Sequence, residues 1–221
     1  MTDITYSIQQ FDHNNTGVIM VKLPQNILDA VTQEINTVSE NRSTASKRNS
    51  TLIGQLEDEY DLESSKVPLF PFLEQLAQQY ERAFPGYIKQ KTSVLNLEKD
   101  YHLSLDSLWV NFQKKGEYNP PHDHSGLYSF VIWIKVPYNI DDELNLPNAR
   151  NSNRPANGMF NFFYTTAHGN ITLVDIKADR SYEGTLVLFP STMWHSVNPF
   201  YTSDEERISV SGNLYLKANE E

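Results

Sequence analysis

The chain has 221 residues, enough to bury a core without disulfide or metal staples, and 39% of them are hydrophobic. It has no cysteine, which excludes thiolate metal sites, iron–sulfur ligation, thiol catalysis and disulfides. A net charge of -10 argues against a general nucleic-acid binder, because phosphate contacts need clustered Lys and Arg, and here the basic cluster is only Arg42 with Lys47–Arg48 in a polar stretch.

Met1 to Tyr6 carries no basic stretch leading into an apolar one, and no run is long enough to cross a bilayer. A soluble, cytoplasmic protein without a membrane partner is therefore expected. Val18–Leu23 alternates as a short strand. After Pro24, Ile27, Leu28, Val31, Ile35 and Val38 recur at helical spacing. Residues 40–50 are rich in Asn, Ser, Thr and Arg and read as a loop. Leu52–Leu62, with its acidic Glu57–Asp58–Glu59, reads as an exposed segment, a solvated loop or a lid. A second helix is expected after Pro71, with Phe72, Leu73, Leu76, Ala77, Tyr80 and Phe84 on one face and Pro85–Gly86 as its stop.

From about Leu105 the pattern changes to period two. Strands are expected at Leu108–Phe112, Tyr128–Val136, Phe160–Tyr164, Ile171–Ile176, Thr185–Phe189 and Ile208–Leu216. A long Asn-, Asp- and Pro-rich excursion spans Pro137–Gly158. Helices followed by many short strands make an α+β, mainly β chain. The strands suit a jelly roll, whose interior can hold a small ligand. The expected organisation is a single domain. Residues 1–104 form a helical and extended region packed on a core of residues 105–221.

Three histidines stand in informative places. In Pro120–Pro121–His122–Asp123–His124 the prolines disfavour helix, so the backbone is extended. Side chains at i and i+2 then point the same way, so His122 and His124 share a face and Asp123 takes the other. Such a pair can chelate a metal, although a lone His–x–His also occurs as a surface pair. His195, after the apolar Thr185–Phe189 and beside Trp194, needs a partner if buried: a metal, a carboxylate or a hydrogen bond. Arg207 and Ser209 alternate with Ile208 and Val210, which places them together on the polar face of the last strand. An arginine there can grip a carboxylate in bidentate fashion, or it can pair with Asp204 or Glu205.

The ordered set of His–x–His, a distal His before a strand, and Arg–x–Ser on the last strand resembles the iron(II)- and 2-oxoglutarate-dependent oxygenase superfamily. Trp109–His122 and Gly184–Pro190 resemble its prolyl-hydroxylase-like branch, with phage and marine bacterial members most alike. The resemblance runs from Leu105 to Leu216. It implies a double-stranded β-helix with N-terminal supporting helices, and iron(II) on His122, His124 and His195. It further implies 2-oxoglutarate as cosubstrate, held by Arg207 with Ser209 and Gln113, O₂ as oxidant, and hydroxylation as the outcome. Two departures stand out. His124 occupies the position where the family more often has a carboxylate, and Gln113 stands where a Tyr is frequent. A cupin-like metal-binding protein on the same fold is the alternative, and an inward-facing Arg207 separates the two. The substrate, whether peptide, protein or small molecule, is not written in these motifs.

Overall fold

A computed structural model describes residues 5–10, 16–92, 101–166 and 168–218. Two antiparallel sheets face each other. The larger has the order β1-β2-β9-β6-β11-β4-β3 and the smaller the order β5-β10-β7-β8. In chain order the strands are β1 (Tyr6–Gln10), β2 (Gly17–Lys22), β3 (Asp58–Asp61), β4 (Tyr101–Gln113), β5 (Asn119–His122) and β6 (Tyr128–Lys135). They continue as β7 (Phe160–Thr165), β8 (Ile171–Ile176), β9 (Thr185–Pro190), β10 (His195–Val197) and β11 (Arg207–Ala218). This is the double-stranded β-helix expected from the strand pattern.

The larger sheet is buried on both faces, which explains its long apolar runs. Phe130, Ile132, Leu186, Leu188, Val110 and Val210 face outward onto helices α1 (Gln25–Glu40) and α2 (Lys66–Ala83). Val131, Trp133, Val187 and Phe189 face inward onto Phe160 and Phe162 of the smaller sheet. Strands β4 and β11 break this rule. Their outward residues are apolar, but their inward row is Trp109, Asn111 and Gln113 opposite Ser211, Ser209 and Arg207. A polar inner row in an otherwise apolar sandwich marks the place where a ligand site is built.

Helix α1 presents Ile27, Val31 and Ile35 at four-residue spacing, as its sequence predicts. Helix α2 begins at Lys66, earlier than expected from Pro71. Two features permit this. Pro71 leaves the Val67 carbonyl without its helical partner, but Val67 is exposed to water. The free N–H groups ahead of the helix, on Glu63, Ser64 and Ser65, donate to the Glu34 carboxylate of α1 at 2.8–2.9 Å.

The segment 52–62 is also different from expectation. Its second half is β3, which pairs with β4 at the sheet edge, and Glu59 is 1% exposed. Charge explains the change: Arg42 reaches Asp58 and grips Glu206 with two bonds, Arg48 holds Asp61, and Lys114 holds Glu57 and Asp58. The basic residues of the polar stretch thus clamp residues 41–61 onto the sheet as a strap. The excursion 137–158 contains two short helices, α4 (Ile140–Asn145) and α5 (Pro147–Arg150), counted after α3 (Tyr87–Thr92). Among the described residues no helix is long and apolar enough to cross a membrane.

Candidate metal centre and cosubstrate pocket

His122 is the last residue of β5 and His195 the first of β10, and the two are direct cross-strand partners. His124 follows β5, and its N–H is held by the Ser191 carbonyl at 2.9 Å. The three rings converge: one ligand nitrogen from each lies within 4.8 Å of the others. His122 and His124 share a face as their spacing predicts. Asp123 is exposed and outside this cluster.

The imidazoles are prepared to be metal ligands. His122 Nδ1 faces the Pro120 carbonyl at 2.7 Å and His195 Nδ1 faces the Met193 carbonyl at 3.0 Å. A carbonyl only accepts, so both Nδ1 atoms carry the proton and both Nε2 atoms present lone pairs. Burial pushes all three histidines below their ordinary range: His124 to about 4, with His122 adding to the effect, and His195 well below its usual value. They are neutral at pH 7, as ligation requires. His124 Nε2 and His195 Nε2 are 3.2 Å apart. Two nitrogens each about 2.1 Å from one ion span such a distance at an angle between right and tetrahedral. Three neutral imidazoles suit iron(II), and also zinc, copper or nickel. Asp123→Asn should change metal affinity by no more than about twofold, the scale of an ordinary surface substitution. A metal titration checks this; loss of binding there, with retention in His124→Ala, would make the carboxylate the ligand.

The inward row leads away from the triad. Trp109 packs 5.9 Å from the His124 ring, and Asn111 Nδ2 donates to Ser209 Oγ and Ser211 Oγ. Arg207 lies at the end of the row, 2% exposed. Its Nε and Nη2 both donate to Gln113 Oε1, and Nη1 donates to Tyr138 Oη at 2.6 Å and to the Gly158 carbonyl at 3.1 Å. The reading that pairs it with Asp204 or Glu205 does not hold. Asp204 binds Lys115, Glu205 binds Lys135, and Glu206 binds Arg42. Among the described residues Arg207 has no ion pair, only neutral oxygens.

One cavity joins these parts. Its wall includes the three histidines, Trp109, Asn111, Gln113 and Ser209, with Leu52, Ile53, Gly54, Leu56 and Glu59 of the strap opposite. Trp194, 51% exposed, and Ile53, 48% exposed, border an adjoining recess with His122, Asp123 and His124. Sequence reasoning missed Glu59, because an acidic run reads as solvated. Its carboxyl is pushed up to about 7, first by burial and then by Glu117. The folded state therefore holds a proton that the unfolded chain, with its carboxyl near 4.5, has released. Between those values stability falls as pH rises. Glu59→Gln should accordingly melt higher than wild type above about pH 8, with the gain shrinking as pH falls through about 7 and largely gone below about 4.5. Calorimetric melting across that range checks the sign.

A double-stranded β-helix with an inward triad of neutral imidazoles is a scaffold that can hold a metal ion. Residues 107–213 match the family model described as a putative 2OG-Fe(II) oxygenase, and this segment is a domain of that kind. That family uses iron(II), 2-oxoglutarate and O₂, and the buried His122, His124 and His195 could hold the iron. A search of curated proteins finds no match. Among solved structures, a prolyl hydroxylase from Trichoplax adhaerens, in complex with a hypoxia inducible factor peptide, is similar in fold. It has a TM-score of 0.51 at 11% identity, covering 91% of this chain and 83% of that one. A Pseudomonas putida prolyl-4-hydroxylase aligns with a TM-score of 0.49 at 16% identity, covering 90% of this chain and 92% of that one.

Proposed function

We propose that His122, His124 and His195 hold the iron(II), that Arg207 with Ser209 and Gln113 receives the distal carboxylate of 2-oxoglutarate, and that the reaction is a hydroxylation. The observation that carries this reading is a buried guanidinium with no acidic partner among the described residues, set at the end of the polar row that starts at the histidines. A buried charge without a counter-ion is costly, and an incoming carboxylate removes that cost. The cupin-like alternative gives Arg207 no such task.

When bound, iron(II) with O₂ and 2-oxoglutarate supplies the oxidising power, and 2-oxoglutarate leaves as succinate and CO₂. The protein supplies orientation and a dry site. Nε and Nη2 form the edge of Arg207 that can bind a carboxylate bidentately, and both now donate to Gln113 Oε1. Gln113 lines the cavity while Arg207 lies behind it. A carboxylate there would take the place of the neutral amide oxygen on this edge, with Ser209 as a further side chain that could hold it. The Nη1 bonds to Tyr138 and Gly158 keep the guanidinium plane fixed meanwhile. Substrate, a peptide or a small molecule, enters past Trp194 and Ile53. Succinate formation by the iron-loaded protein, dependent on O₂ and abolished by a chelator, tests the proposal. Metal binding without any succinate formation or 2-oxoglutarate binding would favour the alternative.

A further inference from the structure

We propose that Glu59 is the substrate-recognition carboxylate of this cavity and that the substrate presents to it an ammonium or guanidinium group on an alkyl stem. The inference rests on the oxygenase reading of the cavity and adds the chemical class of what is oxidised. It starts from an imbalance in the strap. Asp58 faces Arg42, Lys47 and Lys114; Asp61 faces Arg48; Glu57 faces Lys114. Glu59 lies between these residues in the chain and has no ion pair among the described residues. Its carboxylate takes one hydrogen bond, from Asn49 Nδ2 at 3.2 Å. Strand alternation separates it from Asp58, and Asp61, on its own side of the strand, is already taken by Arg48. Asp58 and Tyr60 point to the clamped outer side, whereas Glu59 stands across from Asn111 on the inner side and lines the cavity.

A buried acid with one neutral donor is a poor structural element, because it gains little and loses its hydration. A cation that enters the cavity restores what burial removed. The surroundings fit the rest of such a ligand: Leu52, Ile53 and Leu56 line the same wall and can cover an alkyl stem. Gly54 lets the strap close down, since a Cβ there would lie 2.8 Å from Glu59 Oε1. The cavity is also polarised. A guanidinium stands behind one end, the neutral histidines line its wall, and a carboxyl lies on the strap. The dianionic cosubstrate is drawn toward Arg207 and repelled from Glu59, so the two ligands are sorted by charge.

The test uses the full chain loaded with manganese and 2-oxoglutarate, with n-butylammonium and n-butylguanidinium as probes and n-butylurea as the neutral isostere. Calorimetry should show saturable binding of both cations, weakened at least about tenfold in Glu59→Gln, the loss of one charge-assisted hydrogen bond. Glu59→Asp should recover part of it. The urea should bind more weakly than either cation and be indifferent to the substitution. Wild-type protein offers a readout that needs no variant. Near about pH 6 the protonated-carboxyl infrared band of Glu59 should be lost on adding either cation. Absent cation binding, equal binding by Glu59→Gln, a urea that binds as tightly, or an unchanged infrared band would each overturn the proposal. Repeating the cation titration without metal or cosubstrate separates the two readings. Failure of 2-oxoglutarate to bind sinks the oxygenase reading, whereas failure of the cations sinks only the role of Glu59.

Discussion

Replacing Arg207 with alanine is expected to weaken 2-oxoglutarate binding by at least about thirtyfold while metal affinity stays near its starting value. The cosubstrate's distal carboxylate must shed water to enter the sandwich, and only a fixed positive partner compensates. Arg207 is positioned before the ligand arrives, because neutral acceptors hold its guanidinium from several sides: Gln113 on β4, Tyr138 and Gly158 in the excursion, and the Asn198 carbonyl after β10. That preorganisation lowers the ordering cost of binding. Arg207→Lys should recover little, since a lysine has no bidentate edge and cannot keep the bonds to both Gln113 and Tyr138. Calorimetric titration of the manganese-loaded variants measures the effect. Equal binding by wild type and Arg207→Ala would move the cosubstrate elsewhere.

His195→Ala is expected to reduce metal affinity by more than about a hundredfold, beyond the 10–100-fold loss typical of a partner outside the ligand set. His195 is the most deeply committed of the three. It pairs with His122 across the strands, stacks on Phe160 at 5.4 Å, and has its tautomer fixed by Met193. The fold should tolerate the change, because the removed ring faces Phe160, Phe162 and Phe189, and because a buried polar group leaves with it. A metal titration with melting measured in parallel separates lost ligation from lost folding. Unaltered affinity with intact folding would remove His195 from the site.

Much of this site could be read from the sequence because period-two alternation is a strong signal. It put His122 with His124, and Arg207 with Ser209 opposite Ile208 and Val210, and these placements hold in the fold. The parts that escaped depend on partners far away in the chain. Nothing near Glu59 announces burial; its position follows from β3 joining the edge of β4, which Arg42, Arg48 and Lys114 secure. Glu143 is similar. It lies in the polar excursion, yet it is fully buried and accepts the N–H groups of Tyr201 and Thr202. The early start of α2 depends on Glu34 from a different helix. In each case a charged residue meets donors or neighbours that only the tertiary structure brings near.

Metal and cosubstrate are expected to occupy one site built from the histidine triad and the row that leads to Arg207. Equilibrium dialysis of 2-oxoglutarate against the wild-type chain, with and without manganese, tests it most directly. One 2-oxoglutarate should bind per chain with the metal present, with a large loss of affinity when the metal is chelated or His195 is replaced. Binding that ignores the metal, or no binding in its presence, would contradict it.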